Sequence, residues 1–514
     1  MKHLLLLALL VGVTFGARAQ CNATLTTQAE VNAFGATGCT TVSVLSIRGG
    51  TPTSTDGIYD LTPLSNITTV TGSVVLILND LTNIQGLDNI ATIGGELDIT
   101  TATSLTELSI NAGPSSAFRG LVSVGSYVII SDNPSLTSIS GFFRLRNSKT
   151  IQITRNNRLA GISGFNVLQT TAVLSITSCP ALRSITGFNN VTTLVPDATF
   201  PATELVIAEN RALENILGFT SFTATDQFSI YNNKSLRELA GFNNLRRVKS
   251  LNISNDSAMA SISGFNGPLV IDGNLSINTH ARLTTISGFA GVRATAAYIN
   301  SNERLLTISG FDGSRIGSLD IGYNASLRTI SGFNDAESTN YIQVTSNPKL
   351  GRVRGFGGLN MNAPRRITIG DSDSLTSLNE AFRYSSYSAL TQLSIINNRR
   401  LATCTEPWIC QYLASGGSAS ISNNAATCTA PAILTACRAL GTDDAQPALA
   451  AGYPNPVSSI FHLPAPAPYQ LYDVLGKLLL QGTGATISVA DLPTGIYLLR
   501  TGPDRKQSIR LVKQ

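Results

Sequence analysis

One dipeptide constrains this chain more than any other feature. Gly-Phe recurs at Gly141-Phe142, Gly164-Phe165, Gly187-Phe188, Gly218-Phe219, Gly241-Phe242, Gly264-Phe265, Gly288-Phe289, Gly310-Phe311, Gly332-Phe333 and Gly355-Phe356. The step is about 22 to 24 residues, interrupted once by an insertion around Pro196–Glu204. Ala381-Phe382 continues the series, and Gly86-Leu87 and Gly120-Leu121 read as its beginning. A period of this size marks a stacked array, because one unit cannot bury its own apolar face and gains a core only from its neighbours. At 514 residues the chain also exceeds what one compact core holds.

Each repeat follows the same grammar, clearest over Leu236–Ile253. A leucine is followed three residues later by an aliphatic residue, then Gly-Phe, then a Leu or Val, and finally a strand with apolar residues two apart. That alternation predicts a half-buried strand with Leu251 and Ile253 inward and Asn252 and Ser254 toward solvent. Two columns follow. The phenylalanines from Phe142 to Phe382 should stack inside the array, each worth roughly 1.5–3 kcal/mol on full burial. Three residues before the repeat leucine stands Asn133, Asn156, Asn210, Asn233, Asn302, Asn324, Asn347 or Asn398, able to satisfy backbone groups that the turn leaves unpaired. Cys179, Asp256, His280 and Ser372 fall in the same column, and the glycines, keeping the repeat register, read as turn residues.

The two ends point out of the cytoplasm. Lys2 and His3, an apolar run from Leu4 to Val13 and Ala17-Arg18-Ala19 read as an export signal cleaved after Ala19. No other stretch approaches the length of a membrane span, so no transmembrane anchor is expected. Seven cysteines suit an oxidising compartment. Cys21 and Cys39 are expected to staple an N-terminal cap. Cys404, Cys410, Cys428 and Cys437 are expected to staple a C-terminal one by two bridges, with all three connectivities open. Beyond Gly441 the grammar changes: Tyr469–Leu475 and Leu478–Gln481 about a Gly476-Lys477 turn, then Leu492–Arg500 and Gln507–Lys513, predict a small antiparallel β-sandwich.

The repeat resembles the leucine-rich repeat, and more closely the receptor L-domain variety with short coils. The resemblance covers about residues 40 to 425 and some fifteen coils. Thr27–Phe34 with Cys39, and Ile421–Asn424 before Cys428 and Cys437, look like the caps of bacterial L-domain proteins. It implies a mostly all-β, right-handed, leucine-rich-repeat/L-domain-like solenoid of about 22–24-residue coils. The last residues resemble the C-terminal sorting domain of the type IX secretion system of Bacteroidetes. Tyr453, Pro454, Asn455 and Pro456 carry that resemblance, with Gly476, Lys477, Leu492, Gly495, Tyr497 and Lys513. This implies recognition by an outer-membrane translocon and a product secreted or attached to the outer cell surface. The expected organisation is signal peptide 1–19, N-terminal cap 20–59, solenoid 60–402, stapled cap 403–440, linker 441–451 and sorting domain 452–514.

Chemistry is thinly represented. Of three histidines, His3 leaves with the signal, His280 stands in the turn column and His462 lies in the sorting domain, so no catalytic triad is expected. Asp371, Asp373 and Glu380 are the best acidic group for a polysaccharide-cleaving β-helix, and read more simply as solvated turn acids. Arg158, Arg282, Arg304, Lys349 and Arg400 precede the repeat leucine and offer a basic edge to an anionic glycan. Tyr231, Tyr298 and Tyr323 lie in or beside strands where a sugar can stack, though Tyr231 and Tyr323 also suit turn covers. Charged residues make up 13% and the net charge is only +5, which argues against nucleic acid. No cofactor or metal is expected. The reading is a non-enzymatic protein that presents a polar repeat face to an extracellular macromolecule or glycan.

Overall fold

The computed structural model describes residues 21–49, 57–109, 118–334, 336–357, 362–378, 381–384, 386–439, 456–474, 476–501 and 507–514. The expected signal peptide, the 441–451 linker, Glu380, Tyr453, Pro454 and Asn455 lie outside the described residues. Two compact units divide at Thr435/Ala436.

The first unit is a β-solenoid. Among the described residues, sixteen coils each contribute a strand to one parallel sheet, from Thr41–Arg48 to Ala419–Ser422, with Cys21–Leu25 added at the N-terminal edge. Register follows from β-branched residues pointing inward at the same place in every coil. Ile153, Ile176, Ile207, Ile230, Ile253, Ile277, Ile299 and Ile321 stand opposite one another in sequence. A one-residue slip would turn this whole row to solvent. Leu251 and Ile253 are buried as expected. A second, shorter face carries two-residue strands, paired from Glu107–Leu108 to Asn215–Ile216 and again from Glu238–Leu239 to Arg352–Val353.

The phenylalanine column fills the interior. Phe142, Phe165, Phe188, Phe265, Phe289, Phe311, Phe333 and Phe356 are essentially inaccessible. Neighbouring rings stack with centroids 4.7 Å apart at Phe142–Phe165 and 5.0 Å at Phe311–Phe333. The column starts one coil earlier than the Gly-Phe series, at Phe118, which lies 5.8 Å from Phe142. This corrects the register of the first coils. Leu121 donates its N–H to Phe118 O, as Leu145 does to Phe142 O, and Leu87 to Ile84 O. Gly86-Leu87 and Gly120-Leu121 therefore sit past the column position, which Ile84 and Phe118 occupy.

The glycines are small for a different reason than expected. From Phe118 to Phe289 the column phenylalanines themselves take the left-handed conformation, with φ between 50° and 75°. That costs roughly 1–2 kcal/mol per residue. Ring burial at roughly 1.5–3 kcal/mol and stacking at about 0.5–1.5 kcal/mol outweigh it. The glycines before Phe165, Phe188, Phe219, Phe265 and Phe289 are held small by the coil beneath: a Cβ on Gly264 would lie 2.3 Å from Gly241 O. In the late coils the roles change, and Gly332 and Gly355 take positive φ.

The ladder is interrupted once. Phe222 and Phe228 replace the aliphatic residues that the next coil places at Leu245 and Leu251. Their bulk spreads Phe219 and Phe242 to 6.1 Å with a 30° tilt, and the short strands do not pair across this step.

Both ends are capped by helices, which keep strand edges and the apolar column from water. Helix α1 (Gln28–Ala36) begins with a capping box between Thr27 and Glu30. The Gln28 side chain accepts from the N–H groups of Tyr59 and Asp60 at 3.0 and 2.9 Å. Cys21–Cys39 is a disulfide, as expected. At the other end lie α2 (Pro407–Ala414) and α3 (Ala430–Ala439). The bond Cys404–Cys428 selects one of the three connectivities, and Cys410 and Cys437 are disulfide-bonded as well.

The second unit is a four-stranded antiparallel sheet, ordered Leu478–Ser488, Ile460–Tyr472, Gly495–Thr501, Gln507–Lys513. Val457, Phe461, Leu471, Ile487, Leu499 and Leu511 are among its core residues.

Candidate interaction face

The turn column accounts for most residues with chemical potential. Each asparagine bridges two coils, which goes beyond the local turn bonding read from sequence. Asn324 Nδ2 donates to Ile299 O at 2.9 Å, and its Oδ1 accepts the Asn302 N–H at 3.0 Å. Asn156, Asn210, Asn233, Asn302, Asn347 and Asn398 repeat the bond to the preceding strand, and all are fully buried. Substitutes keep part of this pattern. His280 places Nε2 3.0 Å from Ile253 O, where an asparagine amide would donate, and burial holds its pKa down. Asp256 Oδ1 accepts the Asn233 N–H at 2.7 Å, but its Oδ2 has no partner. Burial pushes this carboxyl up to about 7, against the hydrogen bonds from Asn233. Cys179 is a free, buried thiol pushed up to about 11 by desolvation. These groups are fully buried in the wall of the solenoid.

The long sheet turns its other face outward. From Gln227 onward its rows are mostly polar: Ser229, Asn252, Ser276, Tyr298, Asp320, Gln343, Thr368 and Ser394 follow one another in register. Nearer the N-terminus the same face carries Ile129, Val173 and Val206, and here the insertion folds back. The Phe200 ring packs edge-on against Tyr127 at 5.8 Å, and Asp197 pairs with Lys149 at 2.9 Å. The insertion thus covers the apolar end of the face and leaves the polar end open. Nothing in the repeat pattern announces that placement.

Of the three tyrosines, Tyr323 is 68% exposed in the left-handed turn and Tyr231 is half-buried at the strand end. Tyr298 lies mid-strand on the open face. Beside it, in successive coils, are Asp320, Tyr341 and Arg366. Arg366 lies over the Tyr341 ring at 5.5 Å. Partial burial raises the Asp320 carboxyl, and among the described residues no hydrogen bond or ion pair engages it.

The turn edges are shallower. A groove of about 530 Å³ is lined by Lys234, Arg237, Arg282 and Arg304 with Glu214. It joins two members of the expected basic edge; Arg158, Lys349 and Arg400 are exposed elsewhere along the array. Asp371 and Asp373 share an open groove of about 780 Å³, where Asp371 Oδ1 accepts from Asn397 Nδ2 at 2.9 Å and Arg399 lies 4.0 Å from Asp373. The acids are thus drawn into turn bonding. Among the described residues no three His, Cys, Asp or Glu side chains converge to hold a metal ion.

In the second unit, Gly476 takes φ 85° in the turn, and Lys477 N–H donates to Asp473 Oδ1 at 2.9 Å. Gly495 and Lys513 are cross-strand partners, and Tyr497 donates to Pro493 O at 2.6 Å. Pro456 is exposed ahead of the first strand, which also carries His462. Five of the residues expected to form the sorting signal, Gly476, Lys477, Gly495, Tyr497 and Lys513, are thus built into one small sheet.

No helix among the described residues is long and apolar enough to cross a membrane. No curated protein matches the chain. Among solved structures it is similar to one titled "Crystal structure of TLR13-ssRNA13 complex", with 11% identity over 69% of this chain and 85% of that one. The TM-score is 0.10, too low to bear on fold or function. Residues 451–514 match the family described as "Secretion system C-terminal sorting domain", so the solenoid carries a type IX sorting tail that directs it to the cell surface or beyond.

Proposed function

We propose that this is a non-enzymatic binding protein that presents the open face of its solenoid to an extracellular macromolecule or glycan, in the manner of leucine-rich-repeat and L-domain proteins. One observation carries the reading: the outward row from Ser229 to Ser394 runs in register through eight coils and is dominated by polar side chains. Strands about 4.8 Å apart repeat such contacts at short, regular intervals, which suits an extended ligand held by many weak bonds. The engagement of Asp371 by Asn397 supports binding over a glycan-cleaving β-helix. The test is a glycan-array and protein-binding screen with the purified full chain. Saturable binding without turnover is expected. Polysaccharide cleavage lost in Asp371→Asn or Asp373→Asn would establish the enzyme instead. Self-association without any ligand would establish a structural spacer.

A further inference from the structure

We infer that Tyr298, Asp320, Tyr341 and Arg366 form a saccharide-binding strip on the open sheet face, taking successive uncharged pyranose units of an oligosaccharide through their hydroxyls and C–H faces. The inference rests on the binding reading above and gives it a ligand class. Three observations converge. First, the four side chains come from four successive coils brought side by side by strand register: Tyr298 is opposite Asp320, Tyr341 opposite Arg366, and Ser318 of the Asp320 strand opposite Tyr341. Secondly, one pair is set before a ligand arrives. Arg366 lies over the Tyr341 ring at 5.5 Å. Pre-set side chains lose little freedom on binding. Thirdly, the Asp320 carboxylate is half-buried without a donor among the described residues. A partly desolvated acceptor gains from ligand O–H groups more than a fully hydrated one does.

The surroundings select among ligands. Ser276, Gln343 and Thr368 border the cluster in register, so it is a flat polar field and offers no apolar groove for a peptide side chain. Asp320 disfavours a polyanion, and Arg366, two coils further along, disfavours a bare cation. An uncharged oligosaccharide meets both constraints. Its hydroxyls bond to carboxylate and guanidinium, while a C–H face rests on an aromatic ring. Strands about 4.8 Å apart also lie close to the length of one sugar ring, so a chain running across the coils reaches Gln343, Thr368 and Ser394 in turn.

The experiment is titration of the purified full chain with neutral and acidic oligosaccharides chosen from a glycan array. Tyr298→Ala and Asp320→Asn are expected to weaken neutral-glycan binding by about tenfold each, or about 1.4 kcal/mol. Tyr298→Phe, which keeps the ring, should retain most of the affinity, and Glu238→Ala, exposed on the short-strand face, should match wild type. Thermal melts equal to wild type confirm that each variant is folded. Glycan binding untouched by Tyr298→Ala and Asp320→Asn would overturn the strip and leave the binding reading standing. Preference for acidic glycans, or a protein ligand that needs these residues, would overturn the assignment to an uncharged sugar. A chain that binds neither glycan nor protein would overturn the binding reading together with the strip.

Discussion

Asp256 and His280 hold neighbouring places in a column otherwise dominated by asparagine, and their titrations oppose each other. The Asp256 carboxyl is raised to about 7, so the folded chain keeps a proton that the unfolded chain loses near pH 4. Its contribution to stability is complete below about pH 4 and is lost as pH climbs through about 7. His280 is lowered by burial, so its contribution is present above its unfolded value near 6.5 and is lost as pH falls. Asp256→Asn should therefore flatten the loss between pH 4 and 8 and raise stability at pH 8 by about 1.4 kcal/mol for each unit of the shift removed. Urea titrations across that range read the effect, and parallel curves for variant and wild type would count against it. Cys179, with its thiol raised and buried, should resist alkylation until the chain unfolds. Cys179→Asn should add about 1 kcal/mol by restoring the amide donor of the ladder. All these column places were legible from spacing alone. That the amides bridge coils was not, because the partner carbonyl lies more than twenty residues away, as with Asn302 and Ile277.

At the scale of the coil, Phe265 stacks on Phe242 at 6.0 Å and on Phe289 at 5.0 Å. Phe265→Ala should cost about 3–5 kcal/mol, since rings on both sides hold the cavity open. Because each coil touches only its neighbours, hydrogen exchange should rise first between residues 242 and 289 and leave the strands near Thr41 protected. A uniform rise along the array would contradict that expectation. Period, strand alternation and inward rows were readable because they repeat. The first coils were misaligned because Phe118 is followed by Arg119 and Gly120 and is not preceded by glycine, so the dipeptide pointed three residues too far along.

The whole molecule joins an exported solenoid to its sorting module. Deleting residues 452–514 should leave the solenoid folded, since the two units are separately compact, and should keep the protein from the cell surface and medium. Cell fractionation with a circular-dichroism melt checks both outcomes. Replacing Cys404 and Cys428 by serine should cost roughly 3 kcal/mol and fray the C-terminal coils first. Equal melting with and without the bond would show that the cap does not depend on it.

The sequence alone determined what repeats or is local: the coil period, the two columns, the inward rows and the turn glycine at Gly476. These depend on side chains at fixed offsets, so a linear pattern records them. Tertiary structure decided what occurs once. The fold-back of Phe200 onto Tyr127, the break between Phe219 and Phe242, and the meeting of Tyr298, Asp320, Tyr341 and Arg366 depend on which coil lies beside which. Such contacts join residues that share a surface only after the chain has wound, and no local pattern carries them.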